Sequence, residues 1–322
     1  MKDLSDFSRV SLGLLPTPLH RLDNISRLLG KNIYIKRDDL TGVGLGGNKV
    51  RKLEFLLADA QRQGADTVLT TGGAQSNHAM LTAACAGRLG MKAILVLKKR
   101  GVTDKKGNQV LNDLLGAEVR FVDTDDYADV YAEMERVSAD LAARGHRCYP
   151  IPVGGSVPLG SLGYVNGMRE VAQQAAGLGF RPDRVVCAVG SGGTHAGVAL
   201  GARLYLPGTK VTGVAVDTDP FERIVPELIR GAADLLELDL PEEALRVELK
   251  DMTGPGYAIP SLKGNAALRL MAEKEGIFLD PVYTGKAFAG LVELCREGAF
   301  DGEKNILFLH TGGAGGLFAL DA

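Results

Sequence analysis

Short apolar runs rich in β-branched residues alternate along the chain with longer stretches in which apolar residues recur at helical spacing. The short runs predict seven strands, at residues 32–36, 66–71, 92–97, 118–122, 184–190, 210–216 and 305–311. The longer stretches predict helices. In one of them, residues 52–64, four apolar side chains fall on one helical face: Leu53, Leu56, Leu57 and Ala60.

This alternation of strands and helices predicts an α/β fold, in which mostly parallel, twisted sheets carry helices on both faces. Several strand runs are apolar throughout, as strands covered on both faces should be. A turn-rich stretch, residues 150–164, interrupts the alternation before it resumes near Arg184. We therefore predict two three-layer domains, a small one at residues 50–154 and a large one formed by residues 1–49 and 155–322.

Composition and charge narrow the class of protein. The chain has 322 residues, 45% of them apolar, and a formal net charge of −2. This balance is typical of a globular protein and predicts no basic surface for nucleic acid or an anionic membrane. No apolar run reaches the length of a membrane span and the first residues carry charges, so we expect a cytoplasmic protein with no membrane partner. The four scattered cysteines argue against a disulfide framework or a metal site.

Glycine-rich turns follow three of the predicted strands, at residues 72–79, 191–197 and 312–316. Open parallel sheets bind ligands at the carboxyl ends of their strands, and the free N–H groups at a helix N-terminus bind anions. The second of these turns therefore predicts a phosphate site. It consists of Gly190, Ser191, Gly192, Gly193 and Thr194. For one such turn alone, simple packing of a helix on a strand is an equally good explanation.

The same turn nearly matches the dinucleotide pattern G-x-G-x-x-G, which suggests a nicotinamide-dependent oxidoreductase as an alternative. The acidic residue of that pattern should follow about twenty residues after the first glycine. Here Asp217 lies 27 residues beyond Gly190. The alternative therefore fits the spacing poorly, and it gives no role to the other glycine-rich turns.

The turn that follows residue 73 is too polar to serve packing alone. Ser76 stands where the N-cap of the next helix is expected, and capping is its simplest role. The functional interpretation is that this turn receives a substrate carboxylate and offers a hydroxyl for proton transfer. Its polar residues are Gln75, Ser76, Asn77 and His78.

One lysine, Lys49, stands where the glycine-rich residues 42–47 give way to a predicted helix. A cation in the first turn of a helix opposes the helix dipole. A lysine that is desolvated near a positive potential has a lowered pKa and acts as a nucleophilic amine. An amine and a phosphate site in a parallel α/β sheet together suggest pyridoxal phosphate (PLP), which needs both, and a partner for its ring nitrogen.

Several motifs, in this order, resemble one family of PLP enzymes over essentially the whole chain. They are GGNKVRKLEF (46–55), QSNHA (75–79), GSGGTHAG (190–197), GPGYAIP (254–260), DPVYTGKAFAGL (280–291) and FLHTGG (308–313). The family holds D-cysteine desulfhydrase and 1-aminocyclopropane-1-carboxylate (ACC) deaminase, which are tryptophan-synthase-β-like enzymes of fold type II. The resemblance implies a homodimer with PLP in the cleft between two domains.

The resemblance also implies roles for individual residues. Lys49 would bind PLP covalently, Asn77 would bind the phenolic ring oxygen O3′, and Thr311 would face the ring nitrogen. The cofactor-binding residues implied by the resemblance also include Asn48, Lys52, Thr284 and the turn made of Gly190, Ser191, Gly192, Gly193 and Thr194. The substrate would lie against Gln75, Ser76, Asn77, His78, Tyr257 and Tyr283, of which Ser76 and the two tyrosines are catalytic candidates with Lys49.

Two threonines favour one activity within the family. At two of these motifs the deaminases have sequences that resemble Y-E-G-K and H-L-G-G. This chain has Thr284 in place of the glutamate and Thr311 in place of the leucine. A carboxylate keeps the pyridine nitrogen protonated and gives the strongest electron sink, but a hydroxyl is sufficient for β-elimination of a good leaving group. We therefore expect a carbon–sulfur lyase acting on D-cysteine, with Lys49 or Ser76 removing the Cα proton. ACC deaminase, an L-cysteate sulfo-lyase (which resembles Y-S-A-K here) and a silent PLP-binding protein stay as alternatives.

Overall fold

A computed structural model describes residues 2–99 and 101–319, which form two separate sheets and the helices that cover them. The strands are β1 (Leu19–Arg21), β2 (Asn32–Arg37), β3 (Thr67–Gly73), β4 (Lys92–Lys98), β5 (Glu118–Val122), β6 (Cys148–Ile151), β7 (Arg184–Val189), β8 (Lys210–Ala215), β9 (Glu248–Asp251) and β10 (Asn305–His310). The helices are α1 (Asp23–Leu29), α2 (Lys49–Arg62), α3 (Asn77–Arg88), α4 (Asn108–Leu114), α5 (Tyr127–Ala143), α6 (Pro158–Gly177), α7 (Gly193–Tyr205), α8 (Phe221–Leu235), α9 (Leu262–Glu275) and α10 (Thr284–Arg296).

The larger sheet has six strands in the order β1-β2-β10-β7-β8-β9, and the smaller sheet has four in the order β5-β4-β3-β6. Strand β1 runs antiparallel to β2, and the other pairings between the described strands are parallel. All seven predicted strands are present. The predicted α/β fold with mostly parallel sheets is confirmed.

Strand β10 shows how the larger sheet is covered on both faces. Ile306 and Phe308 belong to a buried cluster that includes residues of α9 and α10, whereas Leu307 and Leu309 belong to another that includes residues of α6 and α7. In the smaller sheet, Leu69 packs with α5 on one face, and Val68, the preceding residue of β3, packs with α2 and α3 on the opposite face. Because successive side chains of a strand point to opposite faces, each sheet lies between two helical layers.

The sequence pattern does not predict β1, β6 or β9. Each has three or four residues and lies at an edge of its sheet. Strand β6 contains Pro150, and three of the four residues of β9 are charged, so neither shows an apolar run. Proline is tolerated at sheet edges, and strands this short depend on pairing with a neighbour more than on their own composition.

The strands of the smaller sheet all lie between Thr67 and Ile151. Helix α2 precedes them and packs closely on α6, since a Cβ added at Gly163 would lie 2.3 Å from the carbonyl oxygen of Arg51. The division of the chain at residues 50 and 154, the homodimer and the cytoplasmic location stay predictions. Within residues 2–99 and 101–319, no helix is long and apolar enough to cross a membrane and no group of three or more His, Cys, Asp or Glu side chains could hold a metal ion.

The start of α2 is joined to the end of β10. Gly47 and Gly312 form an isolated antiparallel bridge, and the backbone N–H of Asn48 donates to the carbonyl oxygen of Thr311 at 3.0 Å. Gly47 has a φ of +139°, a conformation that residues with a Cβ rarely adopt. The residue that follows this junction is Lys49.

Buried ion pairs hold α2 in place near its first turn. Arg51, which is 1% exposed, donates to the two carboxylate oxygens of Asp38 at 2.7 and 2.9 Å. It also donates to the two oxygens of Glu170 at 2.9 and 3.0 Å. A buried charge is tolerated only with such partners, so the pairing fixes the rotation of α2 and the direction of its neighbouring side chains.

Candidate active site

The carboxyl ends of the parallel strands face one cavity, whose walls come from both sheets and from the starts of α2, α3 and α7. Twelve of the predicted site residues line it: Asn48, Lys49, Ser76, Asn77, His78, Gly190, Ser191, Gly192, Thr194, Tyr257, Tyr283 and Thr311. Four others do not line it: Lys52, Gln75, Gly193 and Thr284. Residues separated widely in sequence therefore converge as the motifs predict.

Lys49 is the first residue of α2 and extends into the cavity, where its Nζ donates to Oδ1 of Asn48 at 3.1 Å. Burial lowers the pKa of its amine from 10.5 to about 8, and the nearby carboxylate of Asp280 opposes part of this effect. A useful fraction of the amine is therefore neutral near pH 7 to 8, and the neutral amine is the nucleophile. Lys49 has the properties that covalent capture of an aldehyde requires.

Lys52 lies one helical turn after Lys49 and is 1% exposed. Its Nζ donates to the carbonyl oxygen of Gly154 at 3.0 Å and to Oγ of Ser156 at 3.3 Å. No carboxylate among the described residues forms an ion pair with it, and burial together with the charge of Lys49 lowers its pKa well below the usual value. The charged form of this amine lacks a counter-charge in the protein, so a bound anion stabilises it and the site favours anion binding.

Ser156 connects Lys52 to the turn between β7 and α7. Its hydroxyl donates to Oγ of Ser191 at 2.9 Å and accepts from the N–H of Gly193 at 3.2 Å. None of the motifs includes this residue, although it lies in the turn-rich stretch 150–164 and follows two glycines shortly before a helix. These contacts define an anion cradle, which consists of Lys52, Gly154, Ser156 and residues 191–194.

Three glycines shape the anion cradle, for two different reasons. A Cβ added at Gly193 would lie 2.7 Å from Nζ of Lys52, and one at Gly154 would lie 2.2 Å from Oγ of Ser191. These two glycines keep the cradle open. Gly192 has a φ of +83°, and a Cβ there would meet Ile224 of α8 at 2.9 Å. This glycine therefore permits the turn itself, and its missing side chain faces α8.

Ser76 is the N-cap of α3, because its Oγ accepts from the N–H of Ala79 at 3.2 Å. Gly72 provides the space, since a Cβ there would lie 2.3 Å from Oγ of Ser76. Capping uses a lone pair of the hydroxyl and leaves its proton available to a group in the cavity. The structural and functional interpretations of Ser76 are thus compatible.

His78 lines the cavity as a neutral imidazole. Its Nε2 lies 2.8 Å from Oγ1 of Thr70, whose own proton is donated to the carbonyl oxygen of Ile151. Nε2 therefore carries the ring proton, and Nδ1 has no partner among the described residues. Burial, with Lys49 and Lys52 nearby, lowers the pKa of His78 well below its usual value. His78 is therefore a neutral residue of the cavity wall at neutral pH and contributes no positive charge to it.

Tyr257 and Tyr283 share a hydrogen bond between their hydroxyl groups, and their rings meet edge to face with centroids 6.0 Å apart. Burial raises the pKa of Tyr257 to about 12 and raises that of Tyr283 as well. Both phenols therefore stay protonated at neutral pH and can donate hydrogen bonds. A Cβ at Gly190 would lie 2.9 Å from the ring of Tyr283, so this glycine lets the ring reach the cavity.

The two threonines singled out by the sequence have different surroundings. The hydroxyl of Thr311 has no hydrogen-bond partner in the described part of the chain, and the residue lines the cavity. Thr284 is fully buried, and its hydroxyl donates to Oδ1 of Asp280 at 2.7 Å. The structure therefore brings Thr311 to the cavity and turns the side chain of Thr284 away from it.

Gln75 also faces away from the cavity. Its Nε2 donates to the carbonyl oxygens of Val102 and Lys106 at 2.9 and 3.2 Å, and its Oε1 accepts from the N–H of Asn108 at 2.8 Å. All the polar atoms of this side chain are used to hold the segment before α4. Its role in the structure is to connect that segment to the end of β3.

The cavity fits PLP in three independent features. Lys49 provides an amine of lowered pKa, the anion cradle provides the charge and N–H groups for a phosphate, and Thr311 provides a hydroxyl for the ring nitrogen. Asn77 would bind the phenolic oxygen of the ring. When bound, PLP supplies an aldehyde that captures amines and a ring that stabilises negative charge on the carbon beside the amine.

Comparisons with known proteins agree with this fit. A family model described as pyridoxal-phosphate dependent enzyme matches residues 10–312. A protein of Pyrococcus furiosus, provisionally named 1-aminocyclopropane-1-carboxylate deaminase, is 42% identical over 317 residues, which cover 98% of this chain and 94% of that protein. A crystal structure described as an ACC deaminase homologue superposes with a TM-score of 0.92 at 42% identity, covering 98% and 94% of the two chains. Threonine deaminase isoform 2 from Solanum lycopersicum shares the fold, with a TM-score of 0.66 at 22% identity, covering 92% of this chain and 79% of that chain.

Proposed function

The chain belongs to the family of pyridoxal-phosphate dependent enzymes, with the architecture of fold type II, and from this premise we propose that it is a β-eliminating lyase. Its substrate is a small amino acid that carries a leaving group on Cβ. D-Cysteine is the leading candidate, and the products are pyruvate, hydrogen sulfide and ammonia. The preference for D-cysteine rests on the motif resemblance together with the surroundings of the ring-nitrogen position. The nicotinamide-dependent alternative is wrong, because the family uses PLP.

The observation that carries this proposal is the hydroxyl of Thr311 at the cavity wall. Of the described carboxylates, Asp217 and Asp219 line the cavity, whereas Asp280 is buried near Lys49 and does not line it. Asp280 accepts four hydrogen bonds, from Val282, Tyr283 and Thr284. Both of its oxygens are therefore occupied and it is not available to a ring nitrogen. A neutral hydroxyl partner suits the elimination of a good leaving group better than the opening of an unactivated cyclopropane.

Lys49 and Ser76 are the candidates for removing the Cα proton. The amine of Lys49, with a pKa of about 8, is a base whose strength is suited to neutral pH. The hydroxyl of Ser76 approaches from the start of α3, on the side of the smaller sheet. The two groups come from different walls of the cavity, so the hand of the substrate determines which one faces the proton.

Tyr257 and Tyr283 then assist the leaving group. As the bond between Cβ and sulfur breaks, its electron pair stays on sulfur and hydrosulfide departs. A phenol with a pKa raised by burial keeps its proton, because hydrosulfide is a much weaker base than the phenolate. It assists instead by donating a hydrogen bond to the sulfur as negative charge develops there, and the hydrogen bond between the two hydroxyls leaves one phenol proton free for this contact. The released aminoacrylate hydrolyses to pyruvate and ammonia.

ACC deaminase is the second candidate, because the names of the relatives that share 42% identity refer to that activity. Its products from ACC would be 2-oxobutyrate and ammonia. An L-cysteate sulfo-lyase is less well supported, since Thr284 and Gly285 do not match the motif of that enzyme.

One assay separates these candidates. Purified holoenzyme is given D-cysteine, L-cysteine, D-serine, L-cysteate and ACC in parallel, and the 2-oxo acid and sulfide released are measured. We expect the highest kcat/KM with D-cysteine. A kcat/KM for ACC equal to or above that for D-cysteine would overturn the proposal in favour of the deaminase. Yellow protein without turnover of any of the five would instead indicate a silent PLP-binding protein.

A further inference from the structure

The side-chain amide of Asn77 presents one particular atom to the cavity. An asparagine carries an acceptor oxygen and a donor nitrogen on the same carbon, and which one faces a ligand must be inferred from the hydrogen-bond network. The Oδ1 of Asn77 accepts a hydrogen bond from Nδ2 of Asn108 at 2.7 Å. Its Nδ2 is therefore the atom left to face a ligand in the cavity that it lines.

The amide of Asn108 is itself held in one orientation. Its Nδ2 donates to Oδ1 of Asn77 and to the carbonyl oxygen of Gln75, at 2.7 and 2.9 Å. The second of these acceptors cannot act as a donor. A flipped amide would bring the oxygen of Asn108 within 2.9 Å of that carbonyl oxygen, which is repulsive.

The surroundings of Asn108 indicate that the donor contacts determine its placement. The side chain is fully buried, and its Oδ1 has no partner among the described residues. It lies over Gly315, where an added Cβ would come within 2.1 Å of Oδ1. A buried oxygen without a partner is unfavourable, and here it accompanies two hydrogen bonds that point toward the cavity wall.

We propose that Asn108 is a positioning residue for the cofactor, which holds Asn77 with its N–H donor toward the phenolic oxygen of PLP. That oxygen is anionic in the bound cofactor, so an N–H stabilises it and an amide oxygen repels it. The start of α4 thereby acts on the electronics of the ring without touching it. The inference rests on the cofactor site and is independent of which amino acid is the substrate.

The test is a pH titration of the visible absorption of PLP bound to the holoenzyme, without substrate. Asn108→Asp keeps the shape and removes the donor, so Asn77 turns its N–H toward the new carboxylate and its oxygen toward PLP. The phenolic oxygen of PLP thereby loses its hydrogen bond from Asn77. We expect this loss to raise the pH midpoint of the absorption change by about one unit and to lower the affinity for PLP. Asn108→Ala, which removes the donor but gives the N–H of Asn77 no new acceptor, should raise the midpoint by a smaller amount.

The matched control is Asn112→Asp, on the same helix one turn later. Asn112 is equally buried, and neither of its side-chain polar atoms has a hydrogen-bond partner among the described residues. This variant reports what a buried carboxylate on α4 does to stability, and its absorption midpoint should equal that of the native protein. In an Asn77→Ala background, Asn108→Asp should cause no further shift. Unchanged midpoints in both Asn108 variants, or an equal shift in Asn112→Asp, would overturn the proposal.

Discussion

The hydroxyl of Thr284 donates to Oδ1 of Asp280 at 2.7 Å and accepts from the backbone N–H of Asp280 at 2.8 Å. Both hydrogen-bonding functions of the hydroxyl are therefore used inside the protein. The contact joins the first residue of α10 to the segment that precedes it, next to Tyr283. Thr284 stands where the motifs of the deaminases have a glutamate. In this chain its side chain binds the buried carboxylate of Asp280 and does not reach the cavity.

This contact predicts opposite effects for the two threonines. Thr284→Val should lower the free energy of unfolding by about 1–3 kcal/mol, because a buried N–H and a buried carboxylate oxygen of Asp280 each lose a partner. Thr311→Val should change stability by less than about 0.5 kcal/mol, since its hydroxyl faces the cavity, but should alter turnover. Urea denaturation of the two apo variants beside the native protein checks this. Equal stability losses would show that Thr284 is no more structural than Thr311.

The same geometry affects an exchange that the motifs suggest, Thr284→Glu with Thr311→Leu. A glutamate at position 284 would place a second carboxylate against Asp280 in a buried site, and like charges there oppose ionisation. We expect the double variant to lose D-cysteine turnover and to unfold at a lower temperature than Thr311→Leu alone. Any 2-oxobutyrate formed from ACC should be slight. A double variant that is as stable as Thr311→Leu would mean that the glutamate reaches the cavity.

The pKa of Lys49 predicts how capture of PLP depends on pH. The neutral amine reacts and the ammonium does not, so the rate should rise with pH and level off above the pKa of the folded protein, which burial lowers to about 8. Stopped-flow mixing of apoenzyme with PLP across pH 6 to 10 measures the midpoint. Lys49→Ala should show no covalent capture, and borohydride reduction should label Lys49 and leave Lys52 unlabelled. A midpoint near the ordinary value of 10.5 would contradict the buried amine.

Adjacent glycines in the anion cradle should respond differently to the same substitution. Gly193→Ala places a methyl group 2.7 Å from Nζ of Lys52 and 2.8 Å from Oγ of Ser156, so the affinity for PLP should fall. Gly192→Ala strains a backbone with a φ of +83° and presses on Ile224, so the melting temperature of the apoenzyme should fall instead. Equilibrium dialysis and thermal denaturation separate the two outcomes. If both variants lose PLP affinity and stability in the same proportion, the two glycines do not have the separate roles proposed for them.

Ser156→Ala tests the serine that connects the anion cradle. The variant leaves Lys52 with one protein acceptor, the carbonyl oxygen of Gly154, and leaves the N–H of Gly193 without its partner. A net loss of about 0.5–1.5 kcal/mol corresponds to a decrease in PLP affinity of about two- to tenfold. Ser161→Ala serves as the control, because Ser161 lies in the first turn of α6, just after Ser156, and its hydroxyl donates to the carbonyl oxygen of Val157. If Ser156→Ala binds PLP with the affinity of the native protein, this serine does not contribute to phosphate binding.

The strand pattern predicts the central part of the fold because parallel strands buried on both faces carry uninterrupted apolar runs. Residues 185–189 of β7 and 306–309 of β10 are such runs, and all but one of the residues of the two strands are buried. The edge strands have no such requirement. Strand β9, whose sequence is ELKD, is recognisable only through its pairing with β8.

The site was predictable where a residue type is unusual in its local context. Lys49 after a glycine-rich turn and the hydroxyls beside glycines at 191–194 are such cases. Ser156 and Asn108 act through partners more than thirty residues away in sequence, so their local context carries no signal. The direction of Thr284 is equally hidden, because it depends on the backbone turn that brings Asp280 to it.

The bridge between Gly47 and Gly312 has a mechanical consequence. It ties the amine of Lys49 and the hydroxyl of Thr311 to one backbone junction, which connects α2, packed on the smaller sheet, to the end of β10 in the larger sheet. Main-chain hydrogen bonds therefore set the spacing between these two groups across the boundary of the two sheets. Any rotation of one sheet against the other would have to pivot about this junction or break it.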